Sequence, residues 1–167
     1  VTSWKHNGSE KIFCSSKAVF DGVKAIRGGI PLVFPQFGQP NKAMAQHGFA
    51  RNTAWEAKCL YSDEKSATAV FGMGSSPATL EKWNFPFELA YFVSLAADGL
   101  TCEYKMCNSG SETFSCHGLL HTYFQIGDIS AVAVGGLEGR SFLDKTCDGA
   151  ECLQQGGVTV AQETDSV

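Results

Sequence analysis

Seven cysteines occur, at 14, 59, 102, 107, 116, 147 and 152, yet no two are spaced Cys-x-x-Cys. The odd count and the missing pair argue against a disulfide framework and against a zinc ribbon. Free thiols pack as small hydrophobes, so the expected setting is a reducing compartment, the cytoplasm or an organelle interior such as a plastid. No run of about 18 apolar residues is present, and no helical membrane span is expected. Basic residues are also few: 13 Lys+Arg against 17 Asp+Glu leave a net charge of −4, without the basic face that nucleic acid requires. Heptads, internal repeats and low-complexity tracts are absent. Neither a signal peptide nor a basic presequence is visible, although the chain starts with Val1 rather than Met.

What is present suits a folded domain. At 167 residues and 44% hydrophobic content, the chain is long enough to bury a core as one domain over residues 1–167. Its pattern is that of short strands. Residues 1–4 and 11–14 flank Asn7-Gly8, a hairpin signal. Residues 54–61 and 67–73 pair across a polar stretch. Ser76-Pro77 reads as an N-cap followed by proline at N1 of one short helical turn. Phe87, Leu89, Tyr91, Val93 and Leu95 alternate with Glu88, Ala90, Phe92, Ser94 and Ala96, and the alternation resumes at Leu100 after an expected Asp98-Gly99 turn. Residues 114–124 read as a longer strand, and 129–134, 141–143 and 158–161 complete about ten. The class is all-β, with a β-sandwich or barrel expected. Both ends begin or stop inside strand-like patterns, so a shortened or partial domain is expected.

The densest chemistry lies in residues 25–38, Ala-Ile-Arg-Gly-Gly-Ile-Pro-Leu-Val-Phe-Pro-Gln-Phe-Gly, followed by Gln46-His47-Gly48-Phe49-Ala50-Arg51-Asn52. Glycines permit close backbone approach there, while Pro31 and Pro35 fix φ and remove donors. The stretch therefore reads as a rigid shaped loop rather than a strand or a helix. It carries two guanidiniums, Arg27 and Arg51, and the imidazole of His47, in a chain with only 4 His. Guanidinium forks match phosphate oxygens in paired, charge-assisted hydrogen bonds. Singly, each of these residues could be solvated or fill a turn; together they suggest a polar site.

These strings, with Leu120-His121-Thr122-Tyr123-Phe124 and Glu163-Thr164-Asp165, resemble the glucose-6-phosphate 1-epimerase family, a branch of the aldose 1-epimerase, galactose mutarotase-like proteins. The resemblance implies a large antiparallel β-sandwich of the galactose mutarotase-like type, incomplete at its C-terminal end. It implies a sugar phosphate as substrate, α/β anomer interconversion as the reaction, and no cofactor or metal. The family's catalytic histidine falls on His121. Its substrate-contacting positions fall on Arg27, Gln46, Arg51 and Asp165, with His47 placed to meet a sugar hydroxyl. Its second catalytic group, a basic glutamate, falls beyond residue 167. If the assignment holds, Arg27 and Arg51 must face His121 across a single pocket.

The residues also admit other readings. His117 and His121 are spaced like a metal pair, but on a strand they stand about 13 Å apart at roughly 3.3 Å per residue, too far for one ion. A hydrolase is disfavoured because no Gly-x-Ser-x-Gly elbow occurs and Cys116 is merely adjacent to His117. The alternative from another class is a catalytically incomplete mutarotase-like binding or scaffold subunit, whose protein partners cover exposed strand edges.

Overall fold

Period-two alternation in residues 87–106 produces the longest hairpin of the computed structural model, which describes residues 1–167. The strands of the first unit, Val1–Gln125, begin with β1 (Lys5–His6) and β2 (Ser9–Glu10), joined by Asn7 and Gly8 at φ of 50° and 76°. Two positive φ values match the hairpin turn that Asn-Gly favours. The ladder stops short of the expected limits because residues 13–15 bond elsewhere. Phe13 N donates to Tyr123 O at 2.9 Å, and Ser15 N to Arg27 O at 2.9 Å.

After β3 (Leu32–Val33) come β4 (Glu56–Ser62), β5 (Ser66–Gly74), α1 (Pro77–Lys82), β6 (Phe87–Ala96) and β7 (Gly99–Asn108). The last four strands form one antiparallel sheet in the order β4-β5-β6-β7. Ser76 caps α1 through Thr79 N, and the Thr79 hydroxyl accepts from Ser76 N at 2.8 Å. The β6–β7 turn is Ala97-Asp98, one residue earlier than Asp98-Gly99. Gly99 opens β7 opposite Ala96, and Leu95 faces Leu100. Register explains the difference: a slip of one residue would put the apolar rows of the two arms on opposite faces.

Over this sheet lies a second layer of β3, β8 (Leu119–Leu120) and the glycine- and proline-rich loop. Leu32 faces Leu120 and Val33 faces Leu119, antiparallel. Phe34, fully buried, meets Phe49, Trp83 and Phe87 at centroid distances of 6.0, 5.2 and 5.0 Å. Met73, Leu89 and Tyr91 of the sheet complete that core. The all-β sandwich expected from the sequence is thus present.

Two expectations about this layer change. The loop contains a strand after all, at Leu32–Val33, and both residues are buried. Conversely, residues 114–124 keep only the two ladder residues of β8. Continued outward, the β3–β8 register sets Pro31 opposite His121 and Pro35 opposite His117. His121 N donates to Pro31 O at 2.9 Å and His117 N to Pro35 O at 2.8 Å. Proline has no N–H to return the second bond of each pair, so these two pairs are joined by a single bond.

The second unit, Ile126–Val167, pairs β9 (Ala133–Val134) with β12 (Val158–Thr159) and β10 (Ser141–Asp144) with β11 (Ala150–Leu153). Residues 129–131 form a 3-10 turn instead of strand, capped by the Asp128 carboxylate, which accepts from Ser130 N at 2.9 Å. β11 was not foreseen. Its signal was Asp148-Gly149, which sits at φ of 55° and 76°. No helix is long and apolar enough to cross a membrane.

Gly48 closes the loop against Phe34, whose carbonyl accepts from Phe49 N at 3.0 Å. A Cβ on Gly48 (φ 73°) would lie 2.0 Å from that oxygen, whereas one on Gly99 would meet nothing within 4 Å. Gly48→Ala should therefore destabilise the protein by at least about 2 kcal/mol and Gly99→Ala by no more than about 0.5 kcal/mol. Denaturant midpoints check this, and equal losses would contradict it.

Candidate functional site

The site begins with close backbone packing at Gly28 and Gly29. Gly28 has φ of 136° and would place a Cβ 2.4 Å from Cys14 Cα. Only a residue without a side chain fits there, so the chain carrying Arg27 lies tightly against residues 13–15. On its other side, Tyr123 N donates to Gly29 O at 2.9 Å. Arg27 is thereby held between the 13–15 segment and the segment that carries His121.

The second half of the loop is closed by His47. Its amide donates to Gly38 O at 2.7 Å, and its Nδ1 accepts from Gly38 N at 3.1 Å. With Nδ1 accepting, the Nε2 position carries the proton of the neutral ring. His47 itself sits at φ of 65°. Its ring lies 4.9 Å from that of Phe37 and 5.6 Å, edge-on, from that of His121.

Arg51 lies in a short 3-10 turn, Ala50–Asn52, that follows this closure. Its Nη2 donates to Gln46 O at 2.8 Å, while its Nε is buried without a partner. Burial lowers the guanidinium's pKa, an effect that Tyr123 partly opposes; arginine starts so high that it stays charged. The His121 ring stacks on Tyr123 at 4.9 Å with planes 23° apart. These two residues are two positions apart, so they share a face. Leu120 and Cys116 pack on the core instead.

Arg27, Gln46, His47, Arg51 and His121 all line one cavity of about 450 Å³, within the range of small-molecule sites. The expected juxtaposition of guanidiniums and imidazole is met. Asp165 belongs to the second unit, where it is exposed and its carbonyl accepts from Lys145 N at 2.8 Å. His117 has a bracing part, its Nδ1 accepting from Phe37 N at 3.1 Å. The cavity wall also includes Lys17, Lys24 and Tyr123, which sequence reading missed. Tyr123 was detectable as the residue two beyond His121. The lysines follow no periodicity, and Asp21-Gly22 was the one available turn signal. The other hollows are chemically poorer. One of about 260 Å³ behind Arg51 is mainly apolar. Another, of about 750 Å³, lies over the sheet beside Glu56 and Lys58, whose charges pair.

Known proteins resemble this chain along almost its whole length. The family model described as aldose 1-epimerase matches residues 1–161. Two curated relatives, both named as candidate glucose-6-phosphate 1-epimerases, come from Cenchrus ciliaris and Escherichia coli (strain K12). The first is 39% identical over 180 residues, covering 100% of this chain and 54% of the relative. The second is 36% identical over 170 residues, covering 100% and 56%. Among solved structures, a candidate mutarotase (YeaD) from Salmonella typhimurium superposes with a TM-score of 0.88 at 32% identity, over 99% of this chain and 55% of that one. The chain spans about half the length of the curated relatives it matches.

The left-handed backbone at His47 yields a test. A β-branched residue tolerates that region poorly, at a cost of roughly 1–2 kcal/mol, whereas asparagine accepts it. His47→Val should therefore lower stability more than His47→Asn in urea unfolding. Equal losses would show that ring contacts, not backbone conformation, govern the position.

Proposed function

The chain belongs to the aldose 1-epimerase family, and we propose that its cavity binds a hexose 6-phosphate and interconverts the α and β anomers. Ring opening of a hemiacetal needs one proton delivered to the ring oxygen and another withdrawn from the anomeric hydroxyl. His121 delivers the first, since an imidazole gives and retakes protons near neutral pH. A general base, a glutamate by the family resemblance, withdraws the second. Rotation about C1–C2 and reclosure, with the protons moving back, give the other anomer. Proton transfer alone completes the cycle, so no cofactor enters it.

Arg27 and Arg51 hold the phosphate. Supporting this, Arg51 turns Nη2 to Gln46 O and pairs with no carboxylate, and a phosphate is a counter-charge that suits a guanidinium. Gln46 and His47, which line the same cavity, bind sugar hydroxyls. The observation that carries the proposal is the lining of one cavity by both guanidiniums and the His121 imidazole. The names of the relatives supply the choice of glucose 6-phosphate as the first substrate to try.

Anomer exchange spectroscopy on glucose 6-phosphate with the complete gene product tests the chemistry. His121→Ala should slow exchange by about 10²–10⁴-fold, the usual worth of general acid or base help. Unchanged exchange would overturn the catalytic role. Arg51→Ala should weaken glucose 6-phosphate binding by roughly 1.5–3 kcal/mol and leave free glucose unaffected. Equal weakening of both sugars would remove the arginine from the phosphate.

A further inference from the structure

The proposed phosphate grip accounts for only part of the positive charge at the cavity. Four cationic side chains line it, Lys17, Lys24, Arg27 and Arg51, and no carboxylate does. The chain's two ion pairs are Lys58 with Glu56 and Lys105 with Glu103, both elsewhere, so neither lysine is neutralised by a partner. The nearest acid in sequence, Asp21, turns an oxygen to its own backbone, accepting from Val23 N at 2.9 Å and Lys24 N at 2.8 Å. That bond also shapes the turn that brings Lys24 to the cavity. Lys17 is held comparably, its amide donating to Ser15 Oγ at 3.1 Å while Ser15 N donates to Arg27 O.

A phosphate monoester carries about −1.5 to −2 at neutral pH. Two arginines match that charge, which leaves two lysines facing the cavity without a counter-charge. We infer that Lys17 and Lys24 form a second oxyanion subsite, and that the cavity binds hexose derivatives with two anionic groups more tightly than the monophosphate. This rests on the sugar-phosphate reading above. The second group is a phosphate or a carboxylate at the end of the sugar away from C6. Such a ligand is a competitor rather than a substrate when its C1 oxygen is esterified, because the ring can then no longer open. Hexose bisphosphates would accordingly restrain the reaction at the same cavity.

The test is isothermal titration of the complete gene product with glucose 6-phosphate, glucose 1,6-bisphosphate and 6-phosphogluconate, at low and high salt. The wild type is compared with the Lys17→Gln/Lys24→Gln double variant. Both lysines are exposed, and melting temperatures verify that the variant folds. Two exposed ion pairs are together worth about a ten-fold change in affinity. The wild type should bind a dianionic-plus ligand about ten-fold more tightly than the monophosphate at low salt, and the double variant should erase that margin. Its monophosphate affinity should change less than about two-fold. The bisphosphate and sugar-acid titrations separate the two possible oxyanions. Equal losses for mono- and bisphosphate would assign the lysines to the single phosphate and overturn the inference, as would no loss for any ligand. Failure of the wild type to bind any phosphorylated sugar would instead refute the functional reading itself, before the lysine variants are compared.

Discussion

The amides of Tyr123, His121 and His117 donate to the carbonyls of Gly29, Pro31 and Pro35 at 2.9, 2.9 and 2.8 Å, and these bonds, flanking the β3–β8 pair, hold the site together. They fix the His121 segment to the Arg27 segment along a shared register. Pro31 and Pro35 leave their pairs with a single bond each, and they also keep the loop from joining a regular sheet. An ordinary strand pair would alternate its side chains evenly over two faces. Here the loop can turn back at Gly38 and return through His47 to Arg51, with the Gly38–His47 bonds closing the turn. The cavity is enclosed between the loop's two halves and the His121 strand.

The same layer anchors the sandwich. Phe34 and Phe49, which flank this closure, pack with Phe87 in the core. Folding and site geometry are therefore coupled: the residues that bury apolar surface against the sheet also aim the arginines and the imidazole. Arg51 shows what that coupling demands. It sits half-buried with one donor turned to Gln46 O and another unmatched. An unmatched buried donor is unfavourable, and the packing around the loop holds it in place.

Much of this was legible in the sequence, for identifiable reasons. The β6–β7 hairpin was visible because its alternation spans both arms, and α1 because Ser76-Pro77 combines a cap with a first-turn proline. Arg27, Gln46, His47, Arg51 and His121 could be placed in one site through motif resemblance, since they are distant in sequence and no periodicity links them. What escaped depended on tertiary partners. The two-residue β3 and β8 exist only because each finds the other, and Phe13 was diverted to Tyr123 and Gly29. Lys17 and Lys24 reach the cavity through local turns at Ser15 and Asp21, in a segment with no strand or helix pattern.

In the proposed complex one sugar phosphate spans from the arginine pair to His121. The most direct measurement is a crystal structure of the complete protein with glucose 6-phosphate bound. Phosphate oxygens are expected within hydrogen-bond distance of Arg27 and Arg51, and the ring oxygen within reach of the His121 imidazole. A sugar phosphate bound away from this cavity, or with its phosphate on His121 and its ring toward the arginines, would contradict it.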